Sequence, residues 1–334
     1  MICDRQNYTT EIGYECLNCC IYNYLFNEQL NIHKSEIFFY GEGFNVFYNT
    51  LEDFPAVSSL MYESNFTFLK KAGIHFSVGY LKNSESAVEF LSKCIKEEIL
   101  ISIKVESNNL MYDSIFAKSN AAPHFINPLG INIASQKIFI SDGYIPNIVP
   151  TVYQGWVDLE QVIRAWAAKD YYYVCINPTN ELSLKKPSIE RGAEKEFIKG
   201  IRRYLDSSHE GTIGYTVLFK LLCELESYLK EENQLFNQFA LKINYQLKVY
   251  GFLTIKKYIS DFLKLKKLPS SFCAKYDEII EKWYYIDKYL IKVGITKSHL
   301  HMTSLIEKIQ KLSYEENAVL HDIADFCTTV FDKE

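Results

Sequence analysis

From Tyr14 to Phe26 the apolar positions Leu17, Cys20, Ile21, Tyr24 and Leu25 recur at i, i+3, i+4, i+7 and i+8, one stripe that predicts an amphipathic helix. The stretch Ser35–Tyr40 leads into a turn at Gly41-Glu42-Gly43 and then Phe44–Tyr48. A second helix is predicted over Ser86–Glu98, followed by the short β-branched run Ile99–Val105, a buried strand. Two more strands are predicted over His124–Ala134 and Lys137–Ser141, joined by a polar turn at Ser135-Gln136. Asp158–Ala167 reads as a helix and Tyr171–Ile176 as a strand. After Ser188 every periodic segment has the helical repeat, over 189–206, 212–231, 233–249, 251–267, 272–294, 298–313 and 315–332, and Pro269 is the one proline.

The change of pattern predicts two domains, 1–180 and 188–334, with Asn180–Pro187 as the linker. The fold class expected is α+β in the first domain and all-α in the second. The chain of 334 residues is 48% hydrophobic, 15% aromatic and 23% charged, a globular composition. A formal charge of -5 gives no basic field for nucleic acid. No basic start with a long apolar run marks a signal peptide, and no apolar run approaches the length of a bilayer span. Nine cysteines, an odd number without framework spacing, point to reduced thiols. The expectation is a soluble cytoplasmic protein with no membrane partner. Its richness in Lys, Ile, Asn and Tyr fits an AT-rich bacterial genome.

The candidate chemistry lies in three residues far apart in the chain. Cys16 opens the first helix, His124 begins a strand, and Asp142 closes the next one. A helix start presents free N–H groups and partial positive charge, which favour a thiolate; a neighbouring imidazolium favours it further. An Asp can fix the tautomer and orientation of the His. The order Cys, His, Asp is that of a papain-type triad, and it predicts acyl transfer through Cys16 sulfur. Other readings of these residues are poorer. Cys16-x-x-Cys19 lacks a surrounding βαβ pattern for a redox pair. Cys16, Cys19, Cys20 and His33 lack a second Cys/His pair for zinc, and His299 and His301 sit two apart on a helix, where they face different ways. Gly41-Glu42-Gly43 and Gly211–Gly214 do not make a phosphate loop. No metal or cofactor is expected.

The set Cys16-Leu-Asn-Cys-Cys-Ile-Tyr-Asn23, Ser35-Glu36, Gly41-Glu42-Gly43-Phe44 and Tyr48 resembles the N-terminal region of butirosin biosynthesis protein H-like enzymes. His124, Gly130 and Asp142 are similar to that family's His, its Gly six residues on and its strand-end Asp. The resemblance covers about residues 10–178. It implies a papain-like fold and transfer of an acyl group from a carrier-protein thioester onto an amine, as in the amide-forming cysteine-protease homologue of closthioamide assembly. The implied partners are an acyl carrier protein bearing a phosphopantetheine thioester and an amine or diamine acceptor, in natural-product biosynthesis. Glu36, Glu42 and Tyr112 are the candidate substrate-binding residues, with helix capping and turn roles the plainer account of the two Glu. Position 10 holds Thr where papain-like proteases place an oxyanion-binding Gln, which leaves that task to the Cys16 backbone N–H and a neighbouring donor. An acidic carrier could dock on either of two basic runs: Lys185, Lys186, Arg191, Lys195, Lys199, Arg202 and Arg203, or Lys256, Lys257, Lys264, Lys266 and Lys267. A solvated helix face is the plainer account of both. The helical domain is expected to act as lid and acceptor wall. The same triad would also serve a thioesterase or peptidase, and a helical interaction protein with an inert papain-like half is the non-enzymatic alternative.

Overall fold

The computed structural model describes residues 3–4, 7–51, 54–118, 122–146, 150–177, 182–206, 213–232, 235–249 and 251–331. In chain order the elements are β1 (Cys3–Asp4), α1 (Cys16–Asn27), α2 (Lys34–Tyr40), β2 (Val46–Leu51), β3 (Phe54–Ser59), α3 (Met61–Lys71), β4 (Phe76–Gly79), α4 (Ser84–Lys96) and β5 (Leu100–Glu106). They continue with α5 (Ser114–Lys118), β6 (Pro123–Asn132), β7 (Lys137–Ile145), β8 (Thr151–Asp158), α6 (Leu159–Ala167) and β9 (Tyr173–Ile176). Helices complete the chain: α7 (Leu182–Leu205), α8 (Thr216–Lys230), α9 (Phe236–Val249), α10 (Phe252–Leu265), α11 (Ser270–Thr296) and α12 (His299–Phe331). Among the described residues no helix is long and apolar enough to cross a membrane.

The chain divides into two compact units, Met1–Ile37 with Asn65–Ile189, and Phe38–Ser64 with Glu190–Glu334. The first mixes helices with an antiparallel sheet of order β4-β9-β5-β6-β7-β8, with β1 paired to β6. Side chains of a strand alternate between faces. One face carries Ile101, Ile103, Val105, Ile126, Ile138 and Ile140, covered by Leu91 and Ile95 of α4 and by Val162 and Trp166 of α6. Both helices have local start signals. Asn83 and Ser86 form a capping box on α4, and Asp158 caps α6 through the Gln161 N–H. The β6–β7 turn is held by the Asn132 side chain on the Ser135 N–H, with Gln136 in the left-handed region. The other face receives α1, which packs on β6 and β7.

The second unit is not all-α. It contains the β2–β3 hairpin, which packs against α8, α9 and α10. Buried Val46 and Val57 tie the hairpin to that core, and Tyr48 donates to Glu224 on α8. The expected linker at Asn180–Pro187 is mostly helix, since α7 begins at Leu182 and runs through Pro187. The proline falls in the second turn, where it removes one backbone bond without ending the helix. Residues 178–181 lie outside the described residues. The two last predicted helices are one, α12, whose buried stripe of Leu305, Ile309, Leu312, Glu316, Leu320, Ile323 and Cys327 continues without interruption.

Glu316 occupies a core position in that stripe because the interior supplies its partners. Lys256 Nζ pairs with Oε1 at 2.5 Å, Tyr276 donates to Oε1 at 3.1 Å, and Trp283 Nε1 donates to Oε2 at 2.9 Å. The Lys256 ammonium also lies over the Phe252 ring at 3.8 Å and the Trp283 ring at 4.9 Å. Burial lowers the Lys256 pKa and the Glu316 charge raises it in part. Lys256 therefore does not belong to a basic docking face; it is 2% exposed. Lys266 pairs with Glu194, and Lys264 with Asp277. Glu316→Leu leaves an ammonium, a phenol and an indole N–H without their acceptor. It is expected to lower stability by about 3–5 kcal/mol, read from the urea unfolding curve followed by circular dichroism.

Candidate active site

The start of α1 is fixed by its packing on β7. Asn23 brackets the Glu11 backbone, accepting from its N–H at 2.7 Å and donating to its C=O at 3.1 Å. The Gly13 N–H donates to Gly143 O at 3.1 Å, and Cys19 Sγ meets the same oxygen at 3.4 Å. A Cβ on Gly143 would stand 2.6 Å from Asn23 Nδ2 and 2.9 Å from Glu11 O, and one on Gly13 would overlap Cys19 Sγ. Both positions need glycine for closeness, since neither is a positive-φ residue. Asn127 Nδ2 on β6 adds a bond to Cys20 O at 3.3 Å.

Asp142 is fully buried and its carboxylate is satisfied from three directions. His124 Nε2 meets Oδ2 at 2.9 Å, Tyr112 donates to Oδ2 at 2.7 Å, and the Tyr144 N–H donates to Oδ1 at 3.0 Å. The pairing Asn127↔Ser141, continued along both strands, puts His124 diagonally across from Asp142 on one face, within side-chain reach. The ring of Phe116 packs on the imidazole at 4.8 Å. Tyr112, a candidate substrate-binding residue, holds Asp142. It stacks on Tyr153 at 4.4 Å, and desolvation with the Asp142 charge pushes its pKa well above the ordinary phenol value.

Cys16 is the first residue of α1 and is half-buried. The residue before it, Glu15, caps the helix: Oε1 accepts from the Leu17 N–H at 2.9 Å and Oε2 from the Asn18 N–H at 2.6 Å. Asn65 Nδ2 donates to Oε2 at 3.0 Å, and the Cys16 thiol donates to Oε1 at 3.4 Å. Desolvation pushes the Cys16 thiol well above its ordinary pKa; the Glu15 and Cys20 charges add to the rise, and a hydrogen bond from the Phe125 backbone opposes it. The helix start was expected to lower this pKa. It does not: burial of the thiol outweighs it, and Glu15 adds negative charge at the same N–H groups that would have stabilised a thiolate. Desolvation also raises the Glu15 pKa, against four hydrogen bonds that lower it.

The structure thus brings His124 and Asp142 together and sets Cys16 beside Phe125, the next residue along from His124. It does not join thiol to imidazole. His124 stands opposite Val105 and in line with Ile126, on the face covered by α4 and α6, whereas α1 lies on the face of Asn127 and Ser141. The paired rungs of β6 and β7 end at Asn127↔Ser141, and beyond them Phe125 of β6 supplies the backbone group that bonds Cys16 sulfur. Among the described residues, His124 Nδ1 has no hydrogen-bond partner.

Of the other candidates, Glu36 caps α2 by accepting from the His33 N–H at 3.0 Å. Glu42 belongs to the second unit, in the turn after α2, with φ 62 and its C=O accepting from Asn45 Nδ2. Thr10 bonds Ser141 Oγ and Gln154 Oε1, each at 2.7 Å. Cys19 and Cys20 are buried, and His33 bonds Ser35. Among the described residues no group of three or more His, Cys, Asp or Glu could hold a metal ion. Sequence reasoning missed Glu15 and Asn65. An acidic residue immediately before a helical stripe was the available signal for the first; Asn65 had none, because its contact is made across 50 positions.

Tyr112→Phe removes one of the three donors to Asp142 and is expected to lower stability by about 1–3 kcal/mol with the circular dichroism unchanged. Gly143→Ala forces the α1–β7 contact apart, with an expected loss of about 1–3 kcal/mol read as a lower midpoint of thermal unfolding.

No family model matches the chain, and no curated protein matches it. Among solved structures it is similar to a "putative C39-like peptidase from Bacillus anthracis", with 12% identity and a TM-score of 0.37 over 54% of this chain and 98% of that one. A likeness that distant assigns neither fold family nor activity.

Proposed function

We propose that the chain is a cysteine acyltransferase of papain-like fold that forms an amide, taking an acyl group from a carrier-protein thioester to an amine. The observation that supports this best is the His124–Asp142 pair, held at 2.9 Å across β6 and β7 and one residue from the backbone that reaches Cys16 sulfur. In the reaction the thiol leaves Glu15 and meets His124 Nδ1. Cys16 sulfur attacks the thioester carbonyl while His124 takes the thiol proton and passes it to the departing phosphopantetheine sulfur. The amine nitrogen then attacks the acyl-enzyme. His124 accepts the amine proton and returns it to Cys16 sulfur as the carbon–sulfur bond breaks. Asp142 keeps Nε2 as the protonated nitrogen, so that Nδ1 is the one free to exchange a proton. Exchange of thioesters is nearly neutral and amide formation runs downhill, so no nucleotide is needed. Water at the acyl-enzyme would give the free acid, which is the thioesterase or peptidase reading.

A second reading is favoured by one specific observation: the thiol is bonded to Glu15 and the imidazole faces the α4–α6 side. In that reading the unit is an inert scaffold. Incubation with acyl-pantetheine thioesters of several chain lengths, with and without a primary amine, separates the two. The acyltransferase gives an acyl adduct mass on Cys16, no adduct in Cys16→Ala, acylation about 10²- to 10⁴-fold slower in His124→Ala, and amide rather than acid when amine is present. Free acid regardless of amine makes it a hydrolase. No adduct with any chain length supports the scaffold.

A further inference from the structure

The neighbours of the Cys16 sulfur are unusual for a nucleophile. Its nearest charged group is the carboxylate of the preceding residue, which takes the thiol's hydrogen bond and also occupies the first free N–H groups of α1. That carboxylate cannot easily turn away. Asn65 holds Oε2, and Asn65 is itself bonded by Asn18 Nδ2 at 3.3 Å. Asn18 Oδ1 is buried without a hydrogen-bond partner, so the cluster has an acceptor to spare, and the Phe125 backbone supplies the one donor that stabilises a thiolate there.

From this geometry we infer that Glu15 is a positioning residue that keeps Cys16 in reserve as a neutral thiol, turned away from His124, until the carboxylate is neutralised or displaced. The inference rests on the acyltransferase reading for its biological sense, but its physical content is separate. A negative charge one hydrogen bond from sulfur opposes formation of a second negative charge there. The other groups around the thiol do not reverse this. On its own helix, Cys19 and Cys20 are buried thiols, both raised by desolvation. On β6 and β7, His124 and Asp142 are paired to each other on the opposite face. Lys104 of β5, across from Phe125, lies over the Tyr172 ring at 5.6 Å, and α3 contributes the neutral Asn65. Lys34 of α2 bonds Ile12 O at 3.1 Å and lies over the Tyr14 ring.

The sign of the effect fixes its pH behaviour. Burial is the largest cause of the raised Cys16 pKa and the Glu15 charge the next, and both leave the thiolate fraction at neutral pH below that of an ordinary cysteine. Removing the Glu15 charge should move the pH midpoint of Cys16 reactivity down.

Two substitutions separate charge from capping. Glu15→Asn keeps a good N-cap acceptor and removes the charge, and Glu15→Asp keeps both. The measurement is the rate of iodoacetamide alkylation at Cys16 from pH 6 to 10, read by peptide mass spectrometry on the intact chain, with circular dichroism as the check on folding. The expected result is a midpoint at least about one pH unit lower in Glu15→Asn, hence about tenfold faster labelling at neutral pH, with Glu15→Asp close to the parent. An Asn variant with an unchanged or higher midpoint, or with no labelling at any pH, overturns the inference, as does an equal drop in both variants. No acyl donor is used, so these outcomes stand whether or not the chain transfers acyl groups.

Discussion

A carboxylate with no access to water must find its donors inside the protein, and the placement of the candidate site follows from how Asp142 does so. It draws an imidazole from β6, a phenol from the segment after β5 and the backbone of Tyr144 two residues on. Leaving such a group unpaired would cost several kcal/mol, so the three partners are held together as a set. The same stretch of β7 carries Gly143, where α1 and the segment before it come closest. One end of one strand therefore orients the His on one face and seats the Cys-bearing helix on the other.

That division of labour between faces separates what this chain offers for chemistry from what an assembled triad needs. The parts lie within a residue or two of each other along β6 and β7, yet the resting thiol belongs to Glu15. On the proposed reading the imidazole and carboxylate are already paired, while the thiol is bonded to Glu15.

The legible parts of the fold were those written in local pattern. The stripe through Leu17, Ile21, Tyr24 and Leu25 located α1 to within two residues at its start, and the β-branched run before Val105 located β5. The neighbourhood of His124 and Asp142 could be read because two strands joined by the short turn at Ser135-Gln136 must pair antiparallel, which brings the start of one to the end of the other. What escaped was non-local or ran against type. The core role of Glu316 left no mark in the sequence, because its partners Lys256, Tyr276 and Trp283 lie on other helices. Lys256 looked like part of a basic surface for the same reason. The β2–β3 hairpin was missed because its stabilising neighbours are α8, α9 and α10, far along the chain. The face on which a His stands relative to a helix is likewise a matter of register, which no single segment reveals.

The hairpin has a practical consequence for anyone dissecting the molecule. Neither unit is one continuous stretch of polypeptide: residues 38–64 leave the first unit, join the second, and return. A fragment cut at residue 188 would carry the helices but lack the strands that cover α8, α9 and α10, and would present bare apolar surface to water. The complementary fragment would carry an orphaned ribbon with nothing to lie on. During synthesis, that ribbon must wait for about 170 further residues before its α8 partner, ending at Lys230, exists to receive it.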